Sequence, residues 1–119
     1  GAGIQKNDSV AVKWFQKAAE QGFPNAQFIL GVSYASGEGI IKDEFESIKW
    51  YRKAANQGFA PAQANLGACY SRGIGVAKDE TEAAIWYHKS AEQGYAKAQL
   101  LLGLAYSMGI GVSKNYLGG

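Results

Sequence analysis

Apolar positions along the chain fall at helical spacing. In the stretch AQANLGACYSRG, Ala62, Leu66 and Tyr70 stand at i, i+4 and i+8 and share one face of a predicted helix, termed A. In DETEAAIWYHKSAEQG a second helix, B, is predicted from Asp79 to about Gln93. Asp79 and Glu82 open it with the spacing of a capping box, and Asp43 and Glu46 repeat that spacing earlier in the chain. Lys53 and Lys89 lie in the last turns of helix B, where a cation suits the helix dipole. Gly58 and Gly94 follow, where the chain is expected to turn left-handed. Phe23, Phe59 and Tyr95 come directly after such glycines, the position of a Schellman hydrophobic contact.

The pattern repeats. Trp14, Trp50 and Trp86 are spaced 36 residues apart, and each precedes an aromatic: Phe15, Tyr51, Tyr87. The same step relates Gly22, Gly58 and Gly94; Gln27, Gln63 and Gln99; Gly31, Gly67 and Gly103; and Tyr34, Tyr70 and Tyr106. Residues 26–61 and 62–97 align without gaps at 18 identities in 36 positions, which indicates a duplicated unit with one shared structure. The expected layout is a partial repeat 1–25, full repeats 26–61 and 62–97, and a partial repeat 98–119. Helices should begin near residues 8, 25, 43, 61, 79 and 97, giving six helices in three pairs. Gly37 and Gly39, with their equivalents Gly73-Gly75 and Gly109-Gly111, are expected to make the tight A-to-B turn through positive φ. Gly31, Gly67 and Gly103 sit inside helix A, at a cost of about 1 kcal/mol each relative to alanine. A neighbouring aromatic pair lying over the missing side chain is the expected compensation.

Composition narrows the function. The net charge of +2 is what remains of 12 basic and 10 acidic residues scattered along the chain, which argues against a nucleic-acid footprint. No apolar stretch approaches the roughly 18–20 residues of a membrane span, and no basic-then-apolar signal sequence opens the chain, so neither a membrane role nor a compartment is indicated. One cysteine, Cys69, and one histidine, His88, exclude an internal disulfide and a cysteine–histidine zinc site. No cofactor or metal is expected. The paired glycines lack the three-glycine dinucleotide fingerprint and follow a helix rather than a strand. Asp43, Glu44 and Glu46 read as cap and first-turn charges, not as paired catalytic carboxylates. His88 stands where Gln16 and Arg52 do in other repeats and reads as a solvated side chain; Cys69 reads as a buried thiol.

The pattern AQxxLGxxYxxGxGVxKDxxxAxxWYxKAAxQG resembles the Sel-one-like repeat (SLR), a relative of the tetratricopeptide repeat. The longer 36-residue period and the GxG turn favour the SLR form. The resemblance implies an all-α, right-handed α/α superhelix with A helices on the concave side, used as an adaptor surface in protein assemblies, and it brings no catalytic residues. Related bacterial members carry paired cysteines in each repeat, whereas Cys69 corresponds here to Ser33 and Ala105. Both chain ends fall at an A-to-B turn, Gly1-Ala2-Gly3 at one and Asn115 to Gly119 at the other. This suggests a segment of a longer array, with self-association through uncapped repeat ends as an expectation.

Partner choice should rest on positions that differ between equivalent repeats. With Leu30, Leu66 and Leu102 as core centre, the outward series are Phe28/Ala64/Leu100, Ile29/Asn65/Leu101, Val32/Ala68/Leu104, Ala35/Ser71/Ser107 and Ser36/Arg72/Met108. Phe28, Ile29, Val32, Ser36, Asn65, Ala68, Arg72, Leu101, Leu104 and Met108 are therefore the candidate contacts, although packing between adjacent A helices competes for the apolar ones. Asn65 and Arg72 can offer an amide and a guanidinium to a peptide backbone or carboxylate. The function expected is a non-catalytic scaffold for a protein or peptide, with a structural spacer or an RNA-reading helical repeat as alternatives.

Overall fold

Two alternating turns cut the chain into helices. The computed structural model describes residues 6–111. It contains α1 (Asp8–Glu20), α2 (Pro24–Ser36), α3 (Glu44–Asn56), α4 (Ala60–Arg72), α5 (Glu80–Glu92) and α6 (Ala96–Met108), and no strand among those residues. α1, α3 and α5 are the B helices; α2, α4 and α6 are the A helices. The terminal segments weighed above as chain ends, Gly1 to Gly3 and Asn115 to Gly119, lie outside the described residues.

The B-to-A turn is a Schellman motif in every copy. After α3, Gly58 has φ +88° and donates its N–H to Ala55, while the Phe59 N–H reaches back to Ala54. Gly22-Phe23 and Gly94-Tyr95 make the same pair of bonds. Phe59 at once becomes the N-cap of α4, so the turn has no residue to spare. Pro24 and Pro61 fall in the first turn of α2 and α4, where a backbone donor is not needed.

The A-to-B turn departs from the expected capping box. Asp43 and Asp79 do cap α3 and α5, accepting from Glu46 N and Glu82 N at 3.1 and 3.0 Å. The return bond from the glutamate is replaced, because the Asp43 and Asp79 N–H groups donate instead to the carbonyls of Tyr34 and Tyr70 in the preceding helix. The turn is thus tied to helix A rather than closed on itself. Its second glycine serves contact as well as conformation: a Cβ on Gly39 would lie 2.5 Å from the Asp8 carbonyl oxygen, and one on Gly75 2.6 Å from that of Glu44. Each GxG turn therefore seats on the first turn of the previous helix B.

Of the glycines inside helix A, Gly31 and Gly67 act as anticipated, whereas a Cβ on Gly103 would meet nothing within 4 Å. A Cβ on Gly31 would fall 2.6 Å from the Tyr51 ring, and one on Gly67 2.7 Å from the Tyr87 ring. The second aromatic of each pair occupies the vacant space, and Ser47 Oγ donates to the Gly31 carbonyl across the same contact. The first aromatic fills the core: Trp50 and Trp86 are buried, with Lys53 and Lys89 ammonium groups over their rings. Polar bonds also join neighbouring repeats. Gln63 donates to the Ala55 carbonyl and accepts from Gln93, and Gln27 does the same with Ala19 and Gln57. Each helix packs against the next in chain order, in a body of 55 × 27 × 25 Å.

Candidate partner-binding groove

Three hollows line the stack, and they are one site repeated. The first is bounded by Asp8, Ala11, Val12 and Phe15 of α1 and by Ile29, Val32, Ser33 and Ser36 of α2. The equivalent residues two repeats later, Glu80, Ala83, Ala84 and Tyr87 with Leu101, Leu104, Ala105 and Met108, bound another. Between them, Glu44, Ser47 and Tyr51 of α3 with Asn65, Ala68, Cys69 and Arg72 of α4 bound the third, which also reaches Ala35 of α2 and Lys97 and Leu101 of α6. This middle hollow has a volume of about 410 Å³, against about 300 and 180 Å³ for its neighbours. Contributions from α2 through α6 make it a continuous concavity rather than a cleft within one repeat.

The variable positions of helix A largely meet in this groove. Ile29, Val32 and Ser36 line its first part, Asn65, Ala68 and Arg72 its middle, and Leu101, Leu104 and Met108 its last. Phe28 requires a correction. It does reach the first hollow, but its ring packs inward against Tyr51 and Phe59, with centroids 6.0 and 5.6 Å away, so it does not point away from the core. Ala64 at the equivalent position is 1% exposed, whereas Leu100 is 64% exposed. This series faces the neighbouring repeat, and its exposure depends on whether one is present.

Local chemistry distinguishes the middle. Burial raises the Tyr51 phenol above its ordinary range, and hydrogen bonding from Asn65 and Ser47 partly offsets that. Burial also raises Tyr87, with Arg72 opposing. Cys69 is half-buried at the groove wall, not fully buried as expected; loss of solvation, reinforced by Glu44, pushes its thiol up to about 11. A neutral thiol is a poor nucleophile. The groups whose acidity the fold moves are thus phenols and one thiol. Among the described residues no three His, Cys, Asp or Glu side chains cluster to hold a metal ion, and no helix is long and apolar enough to cross a membrane.

His88 is also corrected. It is half-buried, with Nε2 2.9 Å from the Tyr106 hydroxyl and the rings edge-on. Arg52 makes the equivalent bond to Tyr70 at 2.8 Å. The position varies because its task is to pair with the next helix's tyrosine hydroxyl, which either side chain can do. Lys42, Glu44 and Lys97 are groove residues that sequence reasoning passed over. Lys97 carried a signal, since Asn25 and Pro61 stand at its equivalents.

The Sel1 repeat model matches residues 1–23, 24–59, 60–95 and 96–117. No curated protein matches. Among solved structures, the chain is similar to a Sel1 repeat protein from Oxalobacter formigenes, at 48% identity and TM-score 0.87 over 94% of this chain and 46% of that one. It is also similar to a protective antigen of uropathogenic Escherichia coli strains that displays an SLR fold, at 44% identity and TM-score 0.92 over 97% of this chain and 25% of that one. Cysteine rich protein B of Helicobacter pylori is similar at 28% identity and TM-score 0.77, over 82% of this chain and 74% of that one. The chain thus spans less than half the length of the first two.

Proposed function

Since the chain belongs to the Sel1 repeat family, whose repeats often serve as protein–protein interaction scaffolds, we propose that it holds a partner protein or peptide in the groove lined by its A helices. The fold is generally a non-catalytic one. The observation that carries the reading is the coincidence of two independent patterns. Positions that vary between otherwise equivalent repeats line a hollow that the fold builds once per repeat. Residues that make the stack recur; the helix A residues that face the hollow do not. Repeat arrays use such extended concave surfaces to receive helices or extended segments.

A photo-crosslinking amino acid placed at Ala68, in the groove, and separately at Lys49, exposed on α3, tests this. A defined polypeptide from the source cells should be captured at position 68, not at position 49, and lost when Asn65→Ala and Arg72→Ala are combined in a chain that still folds. Equal products at both positions, or none, would favour the spacer alternative. Retention of mixed RNA at physiological salt would favour RNA reading instead.

A further inference from the structure

We propose that the middle of the groove reads an acidic side chain, and that the bound segment is an extended peptide with one Asp or Glu between two apolar residues. This rests on the groove-binding reading above. Three cations, Lys42, Arg72 and Lys97, line the middle hollow against one carboxylate, Glu44. Among the described residues the one ion pair is Lys49–Glu46, so none of these cations is neutralised by a carboxylate within 4.0 Å. The two arginines of the chain differ sharply in this respect. Arg52 donates to the Tyr70 hydroxyl and lies over its ring, whereas Arg72 has no hydrogen-bond partner among the described residues. A guanidinium in a concavity with its donor fork free suits a carboxylate, and the Asn65 amide lies along the same wall.

The flanks have the opposite character. Ile29 and Val32 on one side, and Leu101 and Leu104 on the other, replace Asn65 and Ala68, and no Lys or Arg lines either outer hollow. Asp8 and Glu38 sit in the first and Glu80 in the last. Those carboxylates would repel a run of phosphates, which disfavours nucleic acid and favours a single acid bordered by apolar groups. The middle and last hollows share Tyr87 and Leu101, so neighbouring hollows adjoin and one extended peptide can run through them.

Selection of random 16-residue peptides on the immobilised chain, followed by anisotropy of the synthetic winners, tests the proposal. The expected consensus has an Asp or Glu with an apolar residue on each side. Arg72→Gln should weaken that peptide about tenfold but leave its Glu→Gln version unchanged, and added salt should act on the first peptide only. Leu104→Lys should weaken both versions alike. Peptides that bind the groove without an acidic preference, or that lose equal affinity to Arg72→Gln with and without their acid, overturn the acid reading while leaving groove binding intact. Displacement by mixed RNA overturns it in favour of a phosphate ligand. If no peptide binds, or all bind the Arg72→Gln and Leu104→Lys variants as well as the parent, groove binding itself fails and the inference with it.

Discussion

Helices α4 and α6 are two copies of one helix, yet they live in different environments. In α4, Leu66 is 0% and Ala64 1% exposed, and Gly67 lies beneath the Tyr87 ring. In α6, Leu100, Leu104 and Met108 are exposed, and a Cβ on Gly103 would meet nothing within 4 Å. α4 is packed between α3 and α5, whereas the extensive packing of α6 is against α5 alone. The B helices show the same contrast: Trp50 is 7% exposed and Trp14 65%. Burial in this architecture is supplied by the neighbour. A repeat's own pattern decides which residues are able to be buried, and the next repeat decides whether they are.

Substituting equivalent positions breaks or sharpens that contrast. The largest effect is expected from the tryptophans. Trp50→Ala should cost on the order of 3–5 kcal/mol in chemical denaturation, and Trp14→Ala less than about 1, because only the first opens a cavity. Equal losses would mean that Trp14 is also packed in solution. The glycines come next. Gly67→Leu should destabilise by about 1–3 kcal/mol or more, since the side chain meets the Tyr87 ring. Gly103→Ala, with open space and better helix propensity, should leave stability unchanged or raise it by up to about 1 kcal/mol. A melting temperature unmoved by Gly67→Leu would remove the close-approach account of both interior glycines.

The smallest effect is alkaline. Cys69 belongs to α4, and Ala105 stands at its place in α6. Its folded value of about 11 exceeds the ordinary 9.0, so the native state holds the proton more tightly than the unfolded chain. The resulting stabilisation is complete below pH 9 and is lost as pH rises toward 11. Allowing for the thiol's partial exposure, the loss is on the order of 1 kcal/mol. Melting followed from pH 8 to pH 10 should therefore fall less steeply in Cys69→Ala than in the parent, while Tyr51 and Tyr87 titrate higher in both. Parallel curves would show that the groove wall does not desolvate the thiol.

Much of the fold was legible because its signals are local. The 36-residue step, the Asp caps at 43 and 79 and the Gly-aromatic stops act over a few residues and need no tertiary information. The interior glycines announced a close approach. Harder to read were contacts between separate elements: the Asp43 N–H bonded to Tyr34 of the preceding helix, and, across repeats, Gly39 against Asp8 and His88 paired with Tyr106. The groove was half legible. Variation between repeats pointed to Asn65 and Arg72, but a helical wheel placed Phe28 outward because it knows the helix's own core and not the adjacent repeat. Lys42 and Lys97 joined the site from a turn and from the following helix A, neither of which a single-helix projection includes.

By itself, then, the sequence determined the repeat length, the helix limits and the residues able to face a core, since each follows from backbone geometry and short-range hydrogen bonding. The tertiary structure alone decided which of those residues are covered and how three repeats pool their variable side chains into one groove. Those outcomes depend on distances between helices about 10 Å apart, and a period along the chain fixes no distance between its copies.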